Sequence, residues 1–133
     1  MAHRRGERAQ KVVNRWDRVV ESMTAEPRRQ LIVALLDASP GVSVELPEAA
    51  INPNVPTDPE SLRIELCHQH LPKLAEMGFI EWDTEPLRAT RGPRFEEVGV
   101  VVEAVHRSAG ELPDSLVSGY QRLETERRLS STN

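Results

Sequence analysis

At 133 residues the chain has room for one domain of ordinary size plus an added helical element, and it is too short for two unrelated domains. Hydrophobic residues make up 38% and aromatic residues only 4%, which implies an aliphatic, mostly helical core; one cysteine excludes an internal disulfide, and no apolar run is long enough to span a bilayer. The net charge of −4 is uneven, because residues 1–29 carry eight cations against four acids and the remainder therefore carries −8, so the N-terminal end could meet phosphate while the remainder would repel DNA unless its charges face away.

In chain order, residues 1–8 read as a disordered basic tail, since Ala2 to Gly6 offer nothing to a core. The basic start lacks the hydrophobic stretch of a signal peptide, so a cytoplasmic location is expected. A first helix follows, with Val12, Val13, Trp16, Val19, Val20 and Met23 on one stripe and Trp16 as its expected anchor. Thr24 is placed to cap a second helix with Pro27 in its first turn. Leu31, Ile32, Val33, Leu35 and Leu36 spread round that helix, which marks it as central. Asp37 to Gly41 breaks it, Val42 suits a minimal strand, and Ser43 can cap a short helix ending near Ile51. A proline-rich loop, Asn52 to Asp58, comes next.

A helix of about five turns is predicted from Pro59, capped by Asp58 or Thr57 and favoured by Glu60 near its positive end. Leu62, Ile64, Leu66, Cys67, Leu71, Leu74 and Met77 fall on its inward side; Ser61, Glu65, His68, Gln69, Pro72 and Glu76 fall on the other. Pro72 should bend the rod by pushing against the carbonyl of His68. Gly78 ends it, because the position past a helix end commonly takes a left-handed backbone. Phe79 to Trp82 then alternate apolar and charged, Asp83 to Pro86 supplies a turn, and Leu87 to Thr90 returns as a second strand. Gly92-Pro93 marks a boundary. Two narrow stripes follow: Phe95, Val98, Val102 and Val105 on a helix ended by Gly110, and Leu112, Leu116, Tyr120 and Leu123 on a last helix from about Pro113 to Arg128.

Helix, glycine and hairpin come in the order of a winged helix. The run Gln69 to Ile80 resembles the recognition-helix ending of ArsR-like winged-helix regulators. His68 through Asp83 is similar to a fuller pattern, H-x-H-L-P-K-L-x-x-x-G followed by two hydrophobic residues, Glu, an aromatic and Asp, of a haloarchaeal winged-helix family of largely uncharacterised function; Met77 stands where alanine is usual. Weaker similarity reaches back through Pro27-Arg28-Arg29 and Val42-Ser43, covering about residues 24–90. The resemblance implies a mainly α winged helix-turn-helix with a short β-hairpin wing and flanking helices. The expected organisation is a tail at 1–8, a winged-helix domain at 9–92, a C-terminal helical hairpin at 93–129 serving as a dimerisation element, and a disordered tail at 130–133.

Candidate contacts follow from that arrangement. If the long helix enters a major groove, Ser61, Glu65, His68 and Gln69 face the base edges, while Lys73, Arg88, Arg91 and Arg94 stand where they could reach backbone or minor groove. Glu65 is unfavourable near phosphate unless it accepts from a cytosine amine, and Glu81, Asp83 and Glu85 share the hairpin with the arginines. His70 lies among leucines and reads as a core histidine bonded to backbone or a polar neighbour. Cys67, His68 and His70 invite a zinc reading, but they point to different sides and no second cluster supplies the remaining ligands, so no metal is expected. Arg28 and Arg29 read as structural partners of nearby acids. No phosphate loop, paired-cysteine motif or nucleophile with a base is present, so neither an enzyme nor a small-molecule cofactor is expected.

The sequence thus points to a dimeric DNA-binding regulator, with residues 59–77 in the major groove and the hairpin at 79–90 beside it. The competing expectation keeps the fold as a protein-interaction or dimerisation module without DNA binding. The two separate on electrostatics: one continuous positive surface beside the helix favours DNA, and a surface dominated by carboxylates favours the second.

Overall fold

Leu31, Ile32 and Leu35 have no exposed surface, and the molecule is arranged round the helix that carries them. The computed structural model describes residues 2–131, with side chains from 4 to 130. It is mainly helical with one small antiparallel sheet. Helix α1 (Ala2–Ser22) leads to the central α2 (Glu26–Asp37), then strand β1 (Val44–Glu45) and a single 3-10 turn, Glu48–Ala50. The long helix is built in three pieces: α3 (Pro59–Glu65), a wider π turn (Leu66–His70) and α4 (Leu71–Glu76). Strands β2 (Ile80–Thr84) and β3 (Leu87–Arg91) form the hairpin, and α5 (Phe95–Arg107) and α6 (Gln121–Ser131) follow, separated by 3-10 turns at Ala109–Glu111 and Asp114–Leu116.

The sheet order is β1-β3-β2, with Val44 opposite Ala89, and Trp82 opposite Ala89 on the other side. One face of it, through Leu87, Ala89 and Ile80, closes a core with Phe79, Leu66, Leu71, Leu74 and Val98. The long helix ends as its sequence requires. Gly78 takes φ +83°, its N–H donates to the Ala75 carbonyl, and the Phe79 N–H donates to the Leu74 carbonyl, so the last carbonyls are satisfied by a left-handed cap. Asp58 caps the start by accepting from the Ser61 N–H.

Several expectations are corrected. The predicted disordered tail at 1–8 is helical from Ala2, and Ser130 and Ser131 of the predicted terminal tail belong to α6; Met1, Thr132 and Asn133 lie outside the described residues. A segment need not enter a core to be helical: Arg, Ala, Gln and Lys have high helix propensity, and Glu7 stands four residues before Lys11, a favourable order. Trp16 does not anchor α1. It is 53% exposed, with Val12, Val13 and Val20 similarly open, and only Val19 of the stripe is buried. Thr24 does not cap α2: its hydroxyl donates back to the Glu21 carbonyl and closes α1 instead. The minimal strand falls at Val44 rather than Val42, because β1 is selected by its pairing with β3, and the short helix expected from Ser43 shrinks to one 3-10 turn.

Pro72 acts differently from a simple kink. It sits in the first turn of α4, directly after the π turn, whose wider winding accommodates the missing N–H and relieves the clash with the preceding turn. Ile64, assigned inward by the helical wheel, is 59% exposed. In the C-terminal third, the predicted continuous last helix is a 3-10 turn followed by α6, and Ala109, Val117 and Leu123 form a second, smaller core.

Candidate nucleic-acid interface

The long helix keeps one flank free. Ser61, Glu65, His68 and Gln69 are all exposed and share that flank, with Ile64 between them. Two of these side chains are already engaged within the chain. The Ser61 hydroxyl donates to the Asp58 carboxylate at 2.7 Å, and this bond holds the exposed Asp58 below the usual carboxylate range. Glu65 accepts from His70 Nε2 at 2.9 Å.

His70 is 2% exposed, and its bonding is determined by its other neighbour. Arg28 Nε donates to His70 Nδ1 at 3.0 Å; a guanidinium cannot accept, so Nδ1 carries no proton and Nε2 carries the one donated to Glu65. Arg28 is itself buried and also donates to the Glu21 carbonyl at 2.8 Å. A core-histidine reading therefore fits His70, and the buried arginine that completes it is the part the sequence did not indicate. Among the described residues no group of three or more His, Cys, Asp or Glu could hold a metal ion.

Each of the four basic candidates is engaged within the chain. Lys73 is half-buried and pairs with Glu21 at 2.5 Å, a contact that lowers the Glu21 carboxyl through the hydrogen bond and the lysine charge. Arg88 pairs across the hairpin with Asp83 at 3.4 Å, its register partner. Arg94 pairs with Glu97 at 3.4 Å and lays its aliphatic stem against Gly78.

Arg91 is held by a different set of partners. It donates to the carbonyls of Leu35 at 3.0 Å, Leu36 at 3.3 Å and Ala38 at 3.0 Å, and its guanidinium lies 5.0 Å from the centre of the Phe95 ring. It closes the C-terminal end of α2, where the last carbonyls have no partner within the helix and a cation is favoured.

Between residues 58 and 90 the chain carries seven carboxylates (Asp58, Glu60, Glu65, Glu76, Glu81, Asp83, Glu85) and three cations (Arg63, Lys73, Arg88), a net −4. All seven acids are exposed. The opposite sign lies on α1, where Arg4, Arg5, Arg8, Lys11, Arg15 and Arg18 face three acids. Residues 4–14 are all exposed. Arg15 approaches Glu97 at 3.8 Å, while Met23 shares a cleft with Val102 and Val105, so α1 runs parallel to α5 and its first turns pass beyond the start of that helix.

Residues 21–90, just over half of the chain, match the family model described as a domain of unknown function, DUF7344. The chain belongs to the DUF7344 family. No curated protein and no solved structure matches it. The DUF7344 span begins at Glu21, the partner of Lys73, and ends at Thr90 in β3, so it contains the Arg28–His70–Glu65 contacts and the hairpin. Most of α1, and all of α5 and α6, lie outside the DUF7344 match.

Proposed function

We propose that residues 26–91 are a winged helix and that the chain works as a non-enzymatic, homodimeric protein-interaction module. The winged-helix reading is supported by element order: a central helix, a short strand, a turn, a long capped helix and a hairpin whose second strand pairs with the first short one. The 3-10 turn Glu48–Ala50 stands where such a fold carries the first helix of the helix-turn-helix pair.

One observation carries the choice of function. Residues 58–90, the long helix and its hairpin, hold −4, with Arg63 exposed, and Lys73, Arg88, Arg94 and Arg91 are paired with Glu21, Asp83 and Glu97 or fixed to the end of α2. Such a surface repels phosphate and suits a basic protein partner. The second copy supplies one: α1 presents Val12, Val13, Trp16 and Val20, each about half exposed or more, beside its excess of cations. Apolar residues at this spacing on a helix that projects from the body are a contact face.

DNA binding is the second reading, favoured by the exposed His68 and Gln69 on the free flank and by the six cations of α1. A pair of measurements separates the two. Light scattering should give twice 15.0 kDa for the wild type and 15.0 kDa for Trp16→Glu combined with Val20→Glu, with unchanged helical content. Gel shifts on fragments of the host genome should show no salt-sensitive complex. A monomeric wild type removes the dimer, and a salt-sensitive shift lost in Gln69→Ala restores the DNA reading.

A further inference from the structure

We infer that the cleft between α2, α5 and the segment leading to α6 binds a small, largely apolar molecule carrying one hydrogen-bond-accepting oxygen. The cleft has a volume of about 420 Å³ and is walled by Met23, Val33, Val102, Val105, Leu116 and Leu123. That volume lies within the ordinary range for small-molecule sites, roughly 300 to 1,000 Å³, which are likewise apolar with a few fixed polar groups. Three of its lining residues are left open to solvent, Leu116 at 57%, Val105 at 41% and Ser115, while the rest of the lining belongs to packed elements. It is thus a preformed hollow with a mostly apolar rim.

Of the polar side chains that line it, Ser115 stands exposed at the rim, and the others identify the complementary oxygen. Arg29 and Tyr120 are spoken for: Arg29 donates to the Met23 carbonyl at 2.6 Å and to the Tyr120 hydroxyl at 3.1 Å, and Tyr120 donates to Glu26. His106 is different. It is 8% exposed, it lines both this cleft and the neighbouring one across α2, and its Nδ1 is buried with no hydrogen-bond partner among the described residues. An enclosed N–H without a partner is a rarer and costlier orphan than an enclosed lone pair, so the neutral ring places its proton on Nε2. The ring is then an N–H donor at Nε2, which no described residue bonds and which is not enclosed, and an acceptor oxygen is its match. Burial, and then the nearby Arg122, lower the pKa of this imidazole, which favours its neutral form. The site does not rest on the dimer or the DNA reading, since ligand binding is read on the protein alone.

The test uses a matched pair of probes, 2-acetylnaphthalene and 2-ethylnaphthalene, titrated into the ¹⁵N-labelled full chain. Saturable shifts are expected at amides around Met23, Val105, Leu116 and Leu123, with the ketone binding about fivefold more tightly, the value of one modest hydrogen bond. Leu116→Trp, a change at an exposed position that fills the hollow, should weaken both probes at least about tenfold. His106→Phe should bring the two affinities together. The inference is overturned if the folded wild type shows no saturable shifts, if shifts map elsewhere, or if Leu116→Trp leaves affinity unchanged. It also fails if Leu116→Trp alters the mass of the particle and not probe binding, which would make the cleft part of a contact between copies. If His106→Phe does not fold, the Leu116→Trp result decides.

Discussion

Arg28 Nε and His70 Nδ1 meet at 3.0 Å inside the core, 42 residues apart in sequence, and this bond ties the start of α2 to the middle of the long helix. It is enclosed on both sides, with Arg28 at 6% and His70 at 2% exposure.

Removing either partner should therefore cost more than a surface pair would. Arg28→Met leaves Nδ1 unbonded and is expected to lower stability by about 1 to 3 kcal/mol, the cost of an unsatisfied buried polar group. His70→Leu strands a buried guanidinium and should cost about 3 kcal/mol or more. The double variant should lose less than the two single losses added, because it removes both members of the pair. Urea unfolding of the four proteins measures this, and additive losses would show that the two side chains act independently.

Gly92 marks a boundary beside Pro93 in the sequence, and its role in the fold is tight packing. A Cβ there would lie 2.6 Å from the Gly78 carbonyl oxygen and 2.7 Å from the Ile80 nitrogen, both backbone atoms that cannot swing aside. Gly92→Ala should cost about 3 kcal/mol or more, as overpacking against fixed atoms does. Gly41→Ala meets open space and strains only its φ of +84°, a cost of about 1 to 2 kcal/mol. Comparable losses at the two sites would sink the packing explanation.

Much of the frame was legible because it rests on local signals. Asp58, Gly78 and the turn at Asp83 to Pro86 are punctuation whose chemistry does not depend on distant residues, and the structure places the long helix and the hairpin between those marks. The burial of His70 and of Leu31, Ile32 and Leu35 likewise followed from their faces. What failed depended on tertiary partners. The stripe on α1 identified an apolar face correctly but could not say whether anything in the same chain covers it, and Trp16 is left half open. Arg91 looked like its neighbours Arg88 and Arg94 in sequence, yet only the approach of α2 to the end of β3 gives it three carbonyls. Leu116 broke from its helical stripe because Gly119, at φ +93°, interrupts the helix before α6.

The two hairpin arginines should consequently separate in a stability assay. Arg91→Met removes the hydrogen bonds that close α2 and the stacking on Phe95, and should lower stability by about 2 to 3 kcal/mol. Arg88→Ala breaks an exposed pair with Asp83 and should stay within about 0.5 kcal/mol of the wild type. If Arg88→Ala proves the more damaging, the assignment of Arg91 as the α2 clamp is wrong.

Stability should also fall as the solution becomes mildly acidic. Burial, and then the charge of Arg122, hold His106 below its ordinary pKa of 6.5, outweighing the opposite pull of Glu126 and Asp37. The unfolded chain takes up a proton near pH 6.5 that the folded chain declines, so stability is fully retained above that value and is lost as pH drops toward the depressed folded pKa. The slope in that window is at most about 1.4 kcal/mol per pH unit for this one group. Carboxylates lowered in the fold act further down. Glu26 is one, where burial that would raise its pKa is outweighed by hydrogen bonds from Tyr120, Gln30 and Asn52, and Glu21, bonded to Lys73, is another; both lose their contribution only below about the ordinary 4.5. Urea midpoints taken from neutral pH to just above the carboxylate range should decline in the wild type and decline less in His106→Phe, and a variant that declines in parallel with the wild type would assign the acid sensitivity to some other group.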